Sequence, residues 1–208
     1  TVFSFHPVKH IATGEGGAIT TNKKELYDKV ALYRTHGITK NPDFLTKNDG
    51  GWYYEMQELG FNYRMTEMQA ALGLSQLKRL ESGIERRRKI ADYYRKELAD
   101  CPLISFPVVD NKKIGHAYHL AIMLIDFEKA GMTRAAFMNK LAAIGIGTQV
   151  HYIPVPMLPY YSDKLHGEKF PNAIEYYRKC LSFPCFPSLT DTDLERVVSG
   201  IKQVSGEW

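Results

Sequence analysis

The chain opens with Val2-Phe3-Ser4-Phe5-His6-Pro7-Val8-Lys9 and, a few residues on, Thr13-Gly14-Glu15-Gly16-Gly17-Ala18-Ile19-Thr20-Thr21. Residues 2–6 alternate apolar with small or polar groups and are cut off by Pro7, the pattern of a buried strand. Lys9 is thereby placed at the mouth of a sheet. A lysine there has two readings. It is a solvated loop residue, since lysine is rarely buried unless paired, or it is a nucleophilic amine, which needs partial desolvation and a rigid backbone to lose its proton near neutral pH. The hydroxyl of Ser4 and the glycine-rich turn at 14–17 suit the second reading, although such glycines also make plain turns.

Working outward, Asn22 reads as the cap of a helix whose apolar positions Leu26, Val30, Ala31 and Tyr33 keep the helical period, with a stop at His36-Gly37. Residues 38–58 are turn-rich and aromatic, and a loop that long is more often functional or mobile than idle. Then comes Gly60-Phe61-Asn62-Tyr63-Arg64-Met65, followed by Thr66-Glu67-Met68-Gln69, which has the capping-box form. A helix start offers free N–H groups and a positive dipole end, and Asn62 and Arg64 add an amide and a permanent charge. The set reads either as an anion site or as an ordinary cap beside a surface arginine.

The helical pattern runs on from 66 to about 100, with Gly83 as the expected break, and this length suits a connector. Pro102 and the apolar 103–106 lead into a second unit. A strand is expected over 119–125, a helix over 133–144 ended by Gly145, and a strand over 147–152. A proline-rich loop at 154–159, a helix from Pro171 to about Leu181, an extended 182–185 and a last helix from Thr190 to about Val204 complete the chain. The expected organisation is therefore 1–80, a connecting helix over 81–102, and 103–208. On a strand Gln149 and His151 share one face and Tyr152 takes the other; a satisfied structural histidine and a site residue are both open for His151. His116 and His119, three apart in an expected strand, point to opposite faces and make no metal site.

The runs S-F-H-P-V-K with T-G-E-G-G-A, and G-F-N-Y-R-M-T-E-M-Q-A-A-L-G, resemble the two signatures of the DegT/StrS family of pyridoxal-phosphate-dependent sugar aminotransferases. The resemblance covers nearly the whole chain. It implies an α/β, fold-type I aminotransferase, of which this sequence would be the later part of the large domain plus the small C-terminal α/β domain. It also implies roles: Lys9 as the Schiff-base and catalytic lysine, Ser4 as a cofactor-phosphate hydroxyl, and Asn62 as an amide reaching the cofactor phosphate of the neighbouring subunit in a homodimer. The family's H-Y-x-P segment lines the nucleotide-sugar side of the pocket, so Asn62, Arg64, Gln149, His151 and Tyr152 become substrate-binding candidates.

The forms F-H-P-V-K, Q-V-H-Y-I-P and L-S-F-P-C-F-P look most like members serving pseudaminic acid biosynthesis. The implied reaction moves an amino group from L-glutamate to C4 of a UDP-linked 4-keto-6-deoxy-N-acetylhexose. Relatives with histidine in place of the lysine are dehydratases, a chemistry that Lys9 argues against. Amination of a 3-keto or dTDP-linked sugar, and a non-catalytic module for dimerisation or nucleotide-sugar binding, are the alternatives. In the family, the carboxylate that pairs with the pyridinium nitrogen and the aromatic stacked on the ring lie upstream of the lysine, where this sequence has nothing. The expectation is that the 208 residues are the later part of a longer protein and are inactive by themselves.

Bulk properties narrow the field further. A net charge of +4 is too mild to argue for nucleic acid, and the single basic block, Arg86-Arg87-Arg88-Lys89, reads as a solvated helix face, although an anionic small substrate would suit the charge. Cys101, Cys180 and Cys185 form no C-x-x-C pair, so neither a disulfide framework nor structural zinc is indicated and a reducing, cytoplasmic setting is expected. No apolar run approaches the roughly eighteen residues of a membrane span. There is no H-E-x-x-H, no Walker loop and no G-x-S-x-G.

Overall fold

A computed structural model describes residues 1–109, 114–165 and 169–206. The chain divides into two units, Thr1–Leu80 and Glu81–Trp208. In the first, β1 (Val2–Ser4) pairs antiparallel with β2 (Gly17–Ile19), Phe3 opposite Ala18. The expected strand is present but shorter, and it is not buried: Val2 and Ile19 are 77% and 51% exposed. The reason is that β1 and β2 are a two-stranded ribbon, which cannot cover its own faces.

Helix α1 (Lys24–Arg34) starts one residue later than the sequence suggests, with Lys23 and not Asn22 at the cap position. The Thr21 hydroxyl accepts from the Lys23 amide at 3.1 Å and turns the chain ahead of the helix. At the far end Gly37 adopts φ +67° and its amide bonds the Leu32 carbonyl at 3.0 Å, so the glycine stop is realised. Residues 38–58 are not an open loop. Strands β3 (Ile38–Thr39) and β4 (Glu55–Met56) pair antiparallel and close it into a hairpin.

Helix α2 (Glu67–Leu77) opens on the capping box, and α3 (Leu80–Glu97) follows it. The single long helix is thus interrupted, though at residues 78–79 and not at Gly83. A glycine costs a helix interior only about 1 kcal/mol, and α3 buries Ile90, Ala91 and Tyr94 on the same face. The basic block on α3 is not a uniformly solvated face either. Arg87 is buried, and Arg86 bonds Asp191 at 2.9 Å.

The second unit holds a three-stranded antiparallel sheet in the order β5 (Ile104–Ser105), β6 (Ala121–Ile125), β7 (Cys180–Phe183). Alternation along β6 buries Ala121, Met123 and Ile125 and leaves Ile122 and Leu124 half-buried. Against the sheet lie α3, α4 (Arg134–Ala143) and, beyond the short α5 (Pro159–Ser162) and α6 (Pro171–Lys179), the last helix α7 (Asp191–Ser205). Thr190 and Asp193 form a second capping box, and Leu194, Val197, Val198, Ile201 and Val204 make the inward stripe of α7. Phe127 and Phe137 meet edge to face at 5.8 Å in this core.

Three expectations change here. Residues 147–152 are not a strand: only Gln149 bridges Ser182, and the next amide, that of Val150, goes to the Gln149 side chain at 2.9 Å. Helix α6 ends at Lys179, and β7 begins at once. His116 lies outside the sheet, its Nδ1 accepting from the Tyr118 amide at 3.0 Å, while β6 starts only at Ala121. Among the described residues there is no group of side chains fit to hold a metal ion, and no helix is long and apolar enough to cross a membrane.

Candidate functional site

Lys9 follows a turn that the backbone closes by itself, its amide bonding the His6 carbonyl at 2.9 Å. His6 connects the other members. Its amide approaches the Ser4 hydroxyl at 3.5 Å and its Nδ1 accepts from the Val8 amide at 3.4 Å, so Ser4, His6 and Lys9 share one hydrogen-bonded turn. The other ring nitrogen, Nε2, stands 3.9 Å from the Glu15 carboxylate. Lys9 is half-buried and Ser4 exposed. No partner among the described residues holds the Lys9 amine.

Behind the turn, Phe5 donates to the Gly16 carbonyl at 2.8 Å, and Thr13 donates to the Phe5 carbonyl at 2.9 Å. The Thr13 hydroxyl donates to the Glu15 carbonyl at 2.7 Å. Gly16 has no room for a side chain, since a Cβ there would stand 2.6 Å from Thr13 Oγ1 and 2.9 Å from Met65 Cε. Gly16 therefore does more than help reverse the chain; it lets this loop lie against Met65, which leads into α2.

Asn62 and Arg64 occupy that lead-in. Asn62 bridges Thr35 just beyond α1, flanked by the bonds Phe61 amide to Tyr33 carbonyl (2.7 Å) and Tyr63 amide to Arg34 carbonyl (3.0 Å). One step earlier Gly37 and Gly60 cross backbone to backbone: a Cβ on Gly60 would fall 2.1 Å from the Gly37 nitrogen. Phe61 and Tyr63 stack at 4.9 Å on the same stretch. Asn62 and Arg64 are exposed, and their side chains have no intrachain partner among the described residues. An amide and a guanidinium beside the N-terminus of an eleven-residue helix suit an anion such as a phosphate.

The neighbouring hairpin is fixed by Glu55. Its carboxylate accepts from the Thr46 amide (2.9 Å), the Thr46 hydroxyl (2.5 Å) and the Tyr53 hydroxyl (2.9 Å). These donors pull the carboxyl down to about 2, the Thr46 hydroxyl contributing most, and the Tyr53 hydroxyl is raised in return by its bond to Glu55.

In the second unit, Gln149 is exposed and its backbone exchanges bonds of 3.1 and 2.8 Å with Ser182. His151 Nδ1 lies 2.8 Å from the Ser182 hydroxyl, so a β7 side chain orients the imidazole. Because the segment is not a strand, Tyr152 does not turn to the opposite face, and its ring meets His151 edge-on at 4.5 Å. The fold thus gathers Ser4 with Lys9, Asn62 with Arg64, and His151 with Tyr152. His6, Glu15 and Gln69 are the residues that sequence reading left out. Only the capping box pointed to Gln69, and nothing local pointed to a bond from its amide to Glu15.

Comparison with known proteins gives a consistent result. The family model described as the DegT/DnrJ/EryC1/StrS aminotransferase family matches residues 1–202. Spore coat polysaccharide biosynthesis protein SpsC of Bacillus subtilis is 41% identical over 208 residues, 98% of this chain and 53% of that protein. UDP-4-amino-4,6-dideoxy-N-acetyl-beta-L-altrosamine transaminase of Campylobacter jejuni is 38% identical over 198 residues, 95% of this chain and 50% of its own length. The solved structure of Helicobacter pylori PseC, an aminotransferase involved in the biosynthesis of pseudoaminic acid, superposes with a TM-score of 0.83 at 30% identity, over 98% of this chain and 52% of that one. The chain spans about half the length of the relatives it matches.

Proposed function

Because the chain belongs to the DegT/DnrJ/EryC1/StrS aminotransferase family, whose members use pyridoxal phosphate, we propose that its protein transfers an amino group from L-glutamate to C4 of a UDP-linked 4-keto-6-deoxy-N-acetylhexose. The observation that carries the reading is Lys9: a half-buried, unpartnered amine on a turn closed by His6 and shared with Ser4.

The residues present fit the cofactor by their chemistry. Lys9 offers the amine that attaches it, and Ser4 offers a hydroxyl for its phosphate. When bound, pyridoxal phosphate supplies the electron sink for charge left on a carbon that loses its proton. The chain's own part is proton handling and positioning. With the group bound, the Lys9 amine would take the proton from the α-carbon of glutamate, which leaves as its 2-oxo acid, and in the second half would deliver a proton to C4 of the sugar as the keto oxygen leaves as water, so that one residue both holds the cofactor and moves the proton. Asn62 supplies its amide to the phosphate site of the neighbouring subunit in a homodimer. Arg64, with a fork of donors matched to diphosphate, holds the nucleotide. Gln149, His151 and Tyr152 take the sugar nucleotide in the second unit, with Ser182 holding the imidazole in place. A cytoplasmic setting suits three buried, unpaired cysteines.

The test is twofold. The purified protein with pyridoxal phosphate should show the absorbance of a lysine-bound cofactor, and a panel of nucleotide-linked 4-keto sugars with glutamate should yield a mass shift for one amino sugar. No absorbance change in the full-length protein would overturn the enzyme reading. SpsC, at a slightly higher identity than the altrosamine enzyme, favours a second reading in which the product is another amino sugar destined for a surface polysaccharide. A dTDP-linked or 3-keto sugar as the best substrate in the same panel would select it.

A further inference from the structure

We propose that Gln69 is a positioning residue for Lys9, tethering the lysine turn to the start of α2. The Gln69 Oε1 accepts from the Thr66 amide at 2.9 Å, which completes the cap, while its Nε2 donates to the Glu15 carbonyl at 3.0 Å, 54 residues back along the chain. The same Glu15 carbonyl receives the Thr13 hydroxyl. Thr13 is 3% exposed, and through the bonds joining Thr13 to Phe5 and Phe5 to Gly16 it closes the loop that carries Lys9. Its methyl also lies against α2, where a Cβ on Gly73 would stand 3.1 Å away.

The residue type is informative. At the third position of a helix, glutamate serves a capping box as well as glutamine does. Only the amide carries a hydrogen to give to Glu15, so the tether and not the cap accounts for glutamine. Since Asn62 and Arg64 lie on the lead-in to the same helix, this one bond sets the lysine turn relative to both, all within the first unit. The effect on Lys9 chemistry rests on the function proposed above; the tether itself does not.

The experiment pairs Gln69→Glu with Thr66→Ala in the full-length protein. Gln69→Glu keeps the cap and sets a carboxylate against a carbonyl. Loss of the bond should speed hydrogen exchange at the Phe5 and Thr13 amides roughly five- to tenfold, with the α2 amides unchanged. Trapping of pyridoxal phosphate on Lys9 by borohydride, read by peptide mass, should fall several-fold, and kcat should fall while the KM for the sugar holds. Thr66→Ala should show the converse, faster exchange at the start of α2 with Phe5, Thr13 and trapping unchanged. Wild-type exchange at Phe5 and Thr13 in Gln69→Glu, or equal loosening in Thr66→Ala, overturns the tether. If Gln69→Glu folds poorly, Gln69→Met takes its place and must loosen Phe5 and Thr13 more than Thr66→Ala does, or the tether is wrong. Failure to trap Lys9 in the wild type would instead strike at the proposed function, while the exchange rates still decide the tether.

Discussion

Arg87 donates through Nη1 to the backbone carbonyl of Cys185, 98 residues away. The same nitrogen serves the carbonyls of Tyr118 (3.2 Å) and His119 (3.0 Å), and among the described residues no carboxylate pairs with this buried cation. Arg87 is therefore a clasp joining α3, the approach to β6 and the exit from β7. Arg87→Ala should cost about 3 kcal/mol, because buried carbonyls left unpaired cost about 1–3 kcal/mol each. Arg87→Lys should recover less than half of that, as an ammonium on a flexible stem does not reproduce the guanidinium fork. Urea unfolding of the three proteins measures it, and equal stability of Arg87→Ala and wild type would remove the clasp.

Lys9→Ala should abolish amino transfer in the full-length protein, with a loss greater than about 100-fold expected for a positioned base. The melting temperature should stay within a degree or two, since the Lys9 side chain makes no intrachain bond among the described residues. Lys9→Arg should be equally inactive because a guanidinium keeps its proton. Retained turnover in either variant would assign the chemistry to another amine.

Asn62 and Lys9 should act in different copies of the chain. Mixing inactive Lys9→Ala with impaired Asn62→Ala should restore part of the activity, because a mixed dimer contains one site with both residues intact. No recovery after confirmed subunit exchange would place the action of Asn62 within its own chain.

The hairpin at 38–56 should loosen in acid. Glu55 has a folded-state value near 2 against an ordinary 4.5, so its stabilisation is fully present above about 4.5 and is lost as pH falls toward 2. Exchange at the Thr46 amide, which bonds this carboxylate, should accelerate across that window. Glu55→Gln should already be fast at neutral pH and lack the acid step. An acid step that persists in Glu55→Gln would point to another group.

How much of this could be read beforehand depended on the range of the signal. The capping box at Thr66 and the helix start at Thr190 are encoded within a few residues and were legible, whereas the second box, closed by Asp193, and the inward stripe of α7 came from the structure. The lysine turn and the Asn62 segment were legible as patterns, and the family resemblance gave them roles that spacing alone could not. What escaped was long-range or competitive. The burial of Arg87 depends on three carbonyls from 31 to 98 residues away. The strand expected at 147–152 is reduced to one bridge between Gln149 and Ser182, with the Val150 amide taken by the Gln149 side chain. The apolar pattern of β1 named a strand correctly, but a pattern cannot say what covers it.

The crossing of Gly37 over Gly60 makes the hairpin between them an exchangeable cassette. Its two ends are joined by main-chain contacts, the Gln57 amide reaching the Gly37 carbonyl at 2.7 Å beside the β3–β4 pair. The bonds of Thr46 and Tyr53 to Glu55 brace the loop itself and would go with the segment, while the main-chain pairing at its ends stays, and doubling the length of a loop costs only about 0.6 kcal/mol. Residues 40–54 can accordingly be lengthened, shortened or swapped between relatives while Asn62 stays in register beside α1. A library confined to that segment would vary the hairpin's tip and leave the main-chain scaffold that presents Asn62 in place.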